Sequence, residues 1–343
     1  MSKRLGKQTV QLPSRPVITA VASVAGPKEG QGPLGNTFDR VLPDAMAGKK
    51  SWEQAESAMV LQGMKLLLEK GGCVLEQLDY MLTGDLLNQC CGSTFGLRDF
   101  KRPFLGLFGA CSTMGEALGL GAMLIDGGFG RQIAAGASSH FCSAEKQFRF
   151  PLNMGTQRPP TSTWTVTGFG GALLAAAGEG VAVTHVTTGR IVDMGVTDAN
   201  NMGAAMAPAA VDTLLAHFRD TGRSPADYDW IVTGDLGRVG VALVRQLARQ
   251  EGLVLGENYT DCGLLIFDGE AQDTHAGGSG CACSALTFCA RLFPDLMAGR
   301  LRRLLFVPTG ALMSTTTSQQ GESIPGIAHA VALESPCWKG EAE

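Results

Sequence analysis

The stretch Tyr228-Asp229-Trp230-Ile231-Val232-Thr233-Gly234-Asp235-Leu236 repeats the pattern of Leu78-Asp79-Tyr80-Met81-Leu82-Thr83-Gly84-Asp85-Leu86, 150 positions earlier. Each is an apolar run of strand length that closes on a Thr-Gly-Asp turn. A second echo follows in the same order. Gly109-Ala110-Cys111-Ser112 is matched by Cys281-Ala282-Cys283-Ser284, each ahead of an apolar helix, a basic turn and a strand (Arg131 to Ala137, Arg302 to Pro308). Two similar elements in the same order predict a duplicated β/α unit, with halves at 1–178 and 179–343 and insertions between the echoes.

The remaining elements follow from periodicity. Val17 to Ala25 reads as a buried strand, and Trp52 to Lys70 as an amphipathic helix stopped by Gly71-Gly72. Phe104 to Phe108, Gln132 to Ala137, Thr167 to Ala177 and Val181 to Val186 read as strands, and Ser112 to Ile125 and Ala207 to Arg219 as helices. Phe141 to Ser162 is polar and Pro-containing, the character of a surface cap.

Composition narrows the function classes. Of 343 residues 45% are hydrophobic and 17% charged, which supplies a large core and excludes disorder. The formal net charge of −4 and the absence of a basic stripe argue against nucleic-acid binding. Met1 to Val10 lacks the apolar stretch of a signal peptide, and the window Phe104 to Ile125 carries Glu116 among small residues, so neither secretion nor a membrane span is expected. The 46 glycines are nearly twice the ordinary usage of about 7%; they are expected at tight turns and close backbone approaches. The ten cysteines show no paired zinc spacing and read mostly as small buried side chains.

Cys111 is distinctive among them. It lies where a strand turns into a helix, between small neighbours, and the helix amino terminus there favours thiolate. A buried filler role fits the same position. A base for it comes from five histidines, His140, His185, His217, His275 and His329: His217 falls on a predicted helix surface, His185 in a strand as packing, and His140 and His329 remain pocket candidates. Gly277-Gly278-Ser279-Gly280 offers backbone donors to an anion or, equally, close helix packing. Asp85 and Asp235 occupy equivalent turns, which suggests one shared capping role.

These residues resemble a known family. AGPKEGQGPLG (25–35), TGDLLNQ (83–89), LFGACST (107–113), SSH (138–140), QFRFP (147–151), MGAAMAPAA (202–210) and AGGSGCACSA (276–285) resemble the stage V sporulation protein AD family of endospore formers. More broadly the chain resembles the thiolase-like fold of the ketoacyl synthase III and thiolase families. The resemblance implies a five-layered αβαβα core and a role in moving dipicolinic acid, as its calcium chelate, into the developing spore. It also implies SpoVA membrane proteins as partners, peripheral attachment to the spore inner membrane, and a homodimer.

Against ketoacyl synthase III enzymes, the resemblance puts Gly234 at the catalytic His position and Ser279 at the catalytic Asn position, so acyl condensation is not expected and no cofactor is called for. The pocket set is then Cys111, Ser139, His140, Asp85, Arg149 and Ser279, with Arg158 as an alternative to Arg149 for pairing a ligand carboxylate. The competing expectation is a Cys111-dependent acyltransferase whose base is His140 or His329. A third is a scaffold that binds no ligand.

Overall fold

A computed structural model describes residues 3–148 and 158–338. Ten strands form one continuous hydrogen-bonded path. In chain order they are β1 (Val17–Ala25), β2 (Tyr80–Gly84), β3 (Phe104–Gly106), β4 (Gln132–Ser139), β5 (Gly168–Ala175), β6 (Val181–Thr187), β7 (Trp230–Thr233), β8 (Tyr259–Asp261), β9 (Arg303–Val307) and β10 (Ala330–Glu334). Their spatial order is β3-β2-β4-β5-β1 and then β6-β10-β9-β7-β8. Reading outward from the middle, each half therefore has its first, fifth, fourth, second and third strand in the same sequence. In each half the fifth strand runs antiparallel to both neighbours, and the second pairs in parallel with the third and fourth. The halves meet where β1 and β6 pair antiparallel over two positions, Val17 with Ala182 and Ile18 with Val181.

Five helices complete the layers: α1 (Trp52–Lys70), α2 (Thr113–Asp126), α3 (Met202–Thr221), α4 (Gly237–Gln250) and α5 (Cys281–Thr287). Strand alternation decides which side each covers. On β9, Leu305 and Val307 face α3 and α4, while Leu304 and Phe306 face the middle of the molecule. On β1, Ala20, Ala22 and Val24 face α1, and Ile18, Val21 and Ala25 face inward. The central helices α2 and α5 pack between the two half-sheets, α2 through Met114, Leu118 and Ala122. Helix, sheet, helix, sheet, helix is the result, both faces of each half-sheet being covered as parallel pairing requires.

Local signals explain the elements. Ser51 caps α1 by accepting from the Gln54 N–H, and Asn201 caps α3 from Ala204. The α3 helix begins five residues before the expected Ala207, so Pro208 lies inside it. The duplication reaches single hydrogen bonds. Asp79 Oδ2 accepts the N–H groups of Arg131 (2.6 Å) and Gln132 (3.1 Å), and Asp229 Oδ2 accepts those of Arg302 (2.6 Å) and Arg303 (2.9 Å). Each clamp fixes the start of one strand against the next.

The glycine excess serves more than turns. A Cβ on Gly63, Gly136 or Gly171 would lie 2.1, 2.7 or 2.9 Å from the ring of Phe169, which is fully buried on β5. These three helix and strand glycines are the slot for one aromatic side chain.

Candidate functional site

Cys111 sits in a tight turn, Ala110–Ser112, that leads from β3 into α2. Its neighbour Ala110 is held at φ 48°, in the left-handed region that a residue with a Cβ rarely enters. Hydroxyls stitch the turn: Ser112 Oγ donates to Gly109 O and Thr113 Oγ1 to Ala110 O, both at 2.6 Å. The opposite half presses on it. A Cβ on Gly310 would stand 2.3 Å from Gly109 O and 3.2 Å from Cys111 N, and the Cys281 thiol donates to Ala110 O at 3.0 Å.

A cavity opens beside this turn. The space free to the centre of a water-sized sphere is about 80 Å³, several times the roughly 10–15 Å³ that one water needs. Cys111 and Phe108 line it from the first half, Ser279, Gly280 and Met206 from the second, and Ala144 and Phe148 from the helix Phe141–Phe148 that covers it. Thr163 and Thr165 add hydroxyls. The turns before α2 and α5 thus converge on one cavity.

Asp235 controls the wall behind Cys111 and Ser279. It is fully buried. Its Oδ2 accepts from Ser279 Oγ (2.8 Å) and Gly280 N (3.0 Å), and its Oδ1 accepts from Thr309 Oγ1 (2.9 Å). Burial pushes the Asp235 carboxyl up to about 6 despite these donors. Burial first, and then the Asp235 charge, push the Cys111 thiol well above its ordinary range. The expected thiolate is therefore disfavoured, because the helix terminus acts on a thiol that is desolvated and faces a carboxylate.

The other expected pocket residues are placed differently. Ser139 Oγ donates to Val166 O and accepts from Ala282 N, which ties β4 to α5. His140 is buried with Nε2 on Ala45 O (2.7 Å) and Nδ1 accepting from Cys142 N. Asp85 accepts the N–H groups of Leu87 and Ser93 and so caps the short helix Cys91–Leu97. None of the three lines the cavity, and Asp85 and Asp235 do not share one role. Arg149 lies outside the described residues. Arg158 pairs with Asp273 (2.6 Å) and stacks on Trp164, away from the lining. His329 is buried, accepts from Gly189 N, and also does not line the cavity. His217, expected on a surface, is fully buried between Thr187 Oγ1 (2.8 Å) and Tyr228 OH (2.6 Å). The sequence reading missed the role of Asp235, although its signal, the second Thr-Gly-Asp turn, was in view.

Among the described residues no group of three or more His, Cys, Asp or Glu side chains is placed to hold a metal ion, and no helix is long and apolar enough to cross a membrane.

A duplicated five-strand order around two central helices, with a cysteine at the first helix and the paired turn at the second, defines a thiolase-like protein. Solved structures agree on that fold. A tetronic acid condensing enzyme superposes with a TM-score of 0.58 at 16% identity, over 93% of this chain and 100% of that one. The 3-oxoacyl-(acyl-carrier-protein) synthase III of Aquifex aeolicus gives 0.57 at 10%, over 93% and 99%. OleA of Xanthomonas campestris gives 0.58 at 13%, over 93% and 98%. Sequence places the chain more narrowly. The family model for stage V sporulation protein AD (SpoVAD) matches residues 6–334, and the stage V sporulation protein AD of Bacillus subtilis (strain 168) is 43% identical over 97% of this chain and 98% of its own length. The chain belongs to the stage V sporulation protein AD family, a family of sporulation proteins.

Proposed function

We propose that this chain binds dipicolinate in the cavity between Cys111 and Ser279 without covalent chemistry, and that it serves SpoVA membrane proteins in moving the acid or its calcium chelate into the forming spore. The observation that carries the non-catalytic reading is the buried Asp235 carboxyl, held by Ser279 and Gly280 behind the cavity wall that Cys111 shares, whose charge raises the Cys111 thiol. A cysteine nucleophile needs electropositive surroundings or an adjacent base. Here ionising Cys111 would set a second negative charge beside Asp235. The two imidazoles named as alternative bases bond elsewhere, and burial holds both below the ordinary histidine range, His329 at about 4.

A small planar diacid suits the rest of the wall. Met202, Met206 and Phe108 offer apolar surface to a ring, and Thr163 and Thr165 offer hydroxyls to carboxylates, while the Ser279 hydroxyl is already donated to Asp235. Same-sign charge at Asp235 opposes a dianion, so affinity should rise as pH falls through about 6. The reading also takes the chain as a homodimer. Its support is β3, the end strand of the sheet, flanked by the exposed Phe95, Leu105 and Phe108.

Intact mass after incubation with acyl-CoA, alongside calorimetric titration with dipicolinate with and without calcium, tests the proposal. No adduct is expected on wild type, and binding should be lost when Met202→Trp fills the cavity. An acyl adduct that disappears in Cys111→Ala establishes the acyltransferase instead, and a silent titration leaves the scaffold.

A further inference from the structure

Five arginines of the second half, joined by Arg15 of the first, gather at the end of the sheet opposite the cavity, where β7 and β9 begin. Three guanidiniums, those of Arg15, Arg223 and Arg303, share one carboxylate, Glu334, at 2.8, 3.5 and 3.5 Å. Beside them Asp295 is shared by Arg291 and Arg300, each at 2.6 Å, and Asp229 holds Arg302 at 3.1 Å. The sharing is layered. Asp295 and Glu334 are 6% and 5% exposed, whereas Arg300 and Arg302 are 61% and 68% exposed. The carboxylates of Asp295 and Glu334 lie beneath, Asp229 is half-buried and Asp227 is exposed, and the guanidiniums of Arg291, Arg300 and Arg302 face outward. Asp227 also acts on Arg223 and Arg303. Among the described residues six arginines thus share this face with four carboxylates, a local excess of cation on a chain whose formal net charge is −4.

From this arrangement we propose that the arginine face at the amino-terminal ends of β7 and β9 is a docking surface for an acidic segment of another protein. Guanidiniums already fixed by buried carboxylates lose little freedom on binding, and their planar forks match further carboxylates. A bilayer fits less well. The two tryptophans that could insert into headgroups are covered, Trp338 by Arg303 at 3.8 Å and Trp230 by Arg291 at 5.9 Å. Arginine over tryptophan is instead the chemistry enriched where proteins meet.

The full chain can be tested by fluorescence anisotropy with a labelled oligoglutamate peptide at low salt. Wild type should bind it. The triple variant Arg291→Glu/Arg300→Glu/Arg302→Glu should bind roughly tenfold more weakly or worse, whereas Lys65→Glu/Lys101→Glu/Arg249→Glu, the same charge change elsewhere, should bind within about twofold of wild type. Should the first variant not fold, Arg291→Lys/Arg300→Lys/Arg302→Lys decides, since it keeps the charge and removes the forks. Equal affinity of wild type and that variant overturns the proposal. So does binding to vesicles of phosphatidylglycerol and phosphatidylcholine by a protein that ignores the peptide.

Discussion

Replacing Asp235 by Asn isolates the group that sets the chemistry of the cavity wall. The carboxyl is raised from 3.8 to about 6 on folding. A group whose folded pKa lies above its unfolded value adds stability that is complete below the unfolded value and is lost as pH climbs through the folded one. The shift of about two units corresponds to about 3 kcal/mol between the acid and neutral limits. Between about pH 4.5 and about pH 7.5 the wild type should lose about 2 kcal/mol from this group alone. Asn keeps an oxygen for Ser279 and Gly280 and turns its amide to Thr309, so the hydrogen bonds survive while the titration disappears. The assay is guanidinium unfolding of both proteins at the two pH values. The difference in stability, variant minus wild type, should move by about 2 kcal/mol in favour of the variant at the higher pH. Buried acids that do not act on Asp235 titrate in both proteins and cancel, and Asp261, whose charge raises Asp235, is relieved in the variant and so moves the difference in the same direction. A movement near zero, or one of opposite sign, refutes the claim that Asp235 pays for its burial, and with it the argument for a silent Cys111.

Three further outcomes follow from packing and protonation. Gly310→Ala drives a Cβ against Gly109 O; it should cost about 1–3 kcal/mol in chemical denaturation and weaken dipicolinate binding, because backbone cannot step aside cheaply. His217→Phe removes two buried hydrogen bonds and should destabilise by about 1–3 kcal/mol at neutral pH. Since burial lowers His217 to about 3, its contribution is present above the unfolded value of 6.5 and falls as pH drops below it, so the penalty in a pH series of unfolding curves should shrink on acidification. Glu56, pushed up to about 8 by burial and then by Asp85, receives hydrogen bonds from Ser138 and Ser143. As it is mainly neutral at pH 7, Glu56→Gln should change the thermal midpoint by the equivalent of less than about 1 kcal/mol.

The fold was legible because its signals are local and repeated. The span of α1 and the two Thr-Gly-Asp turns are set by neighbours within a few residues, and periodicity captures them. The wall of the site was legible only in part. Cys111 and Ser279 meet at one cavity as expected, since each marks the turn before a central helix. Asp235 was grouped with Asp85 because their surroundings in sequence match, yet Asp85 takes its donors two and eight residues on, and Asp235 takes its own from Ser279, Gly280 and Thr309. Partners that distant leave no trace in spacing. His217 misled for a related reason: α3 is covered by both the sheet and α4, so polar spacing along it does not mark a solvent face. Ser139 and His140 carry the polarity of pocket residues but spend it on backbone that joins layers.

The seam between β1 and β6 has a symmetry of its own. The first residue of β1 pairs with the second of β6, and the second of β1 with the first of β6. Reciprocal exchange of this kind is what two identical subunits make around a twofold axis. The chain is built like a covalently joined dimer of one half, in which linkage frees equivalent turns from carrying equal loads: Asp85 braces a short helix, whereas Asp235 is the acid behind one asymmetric cavity.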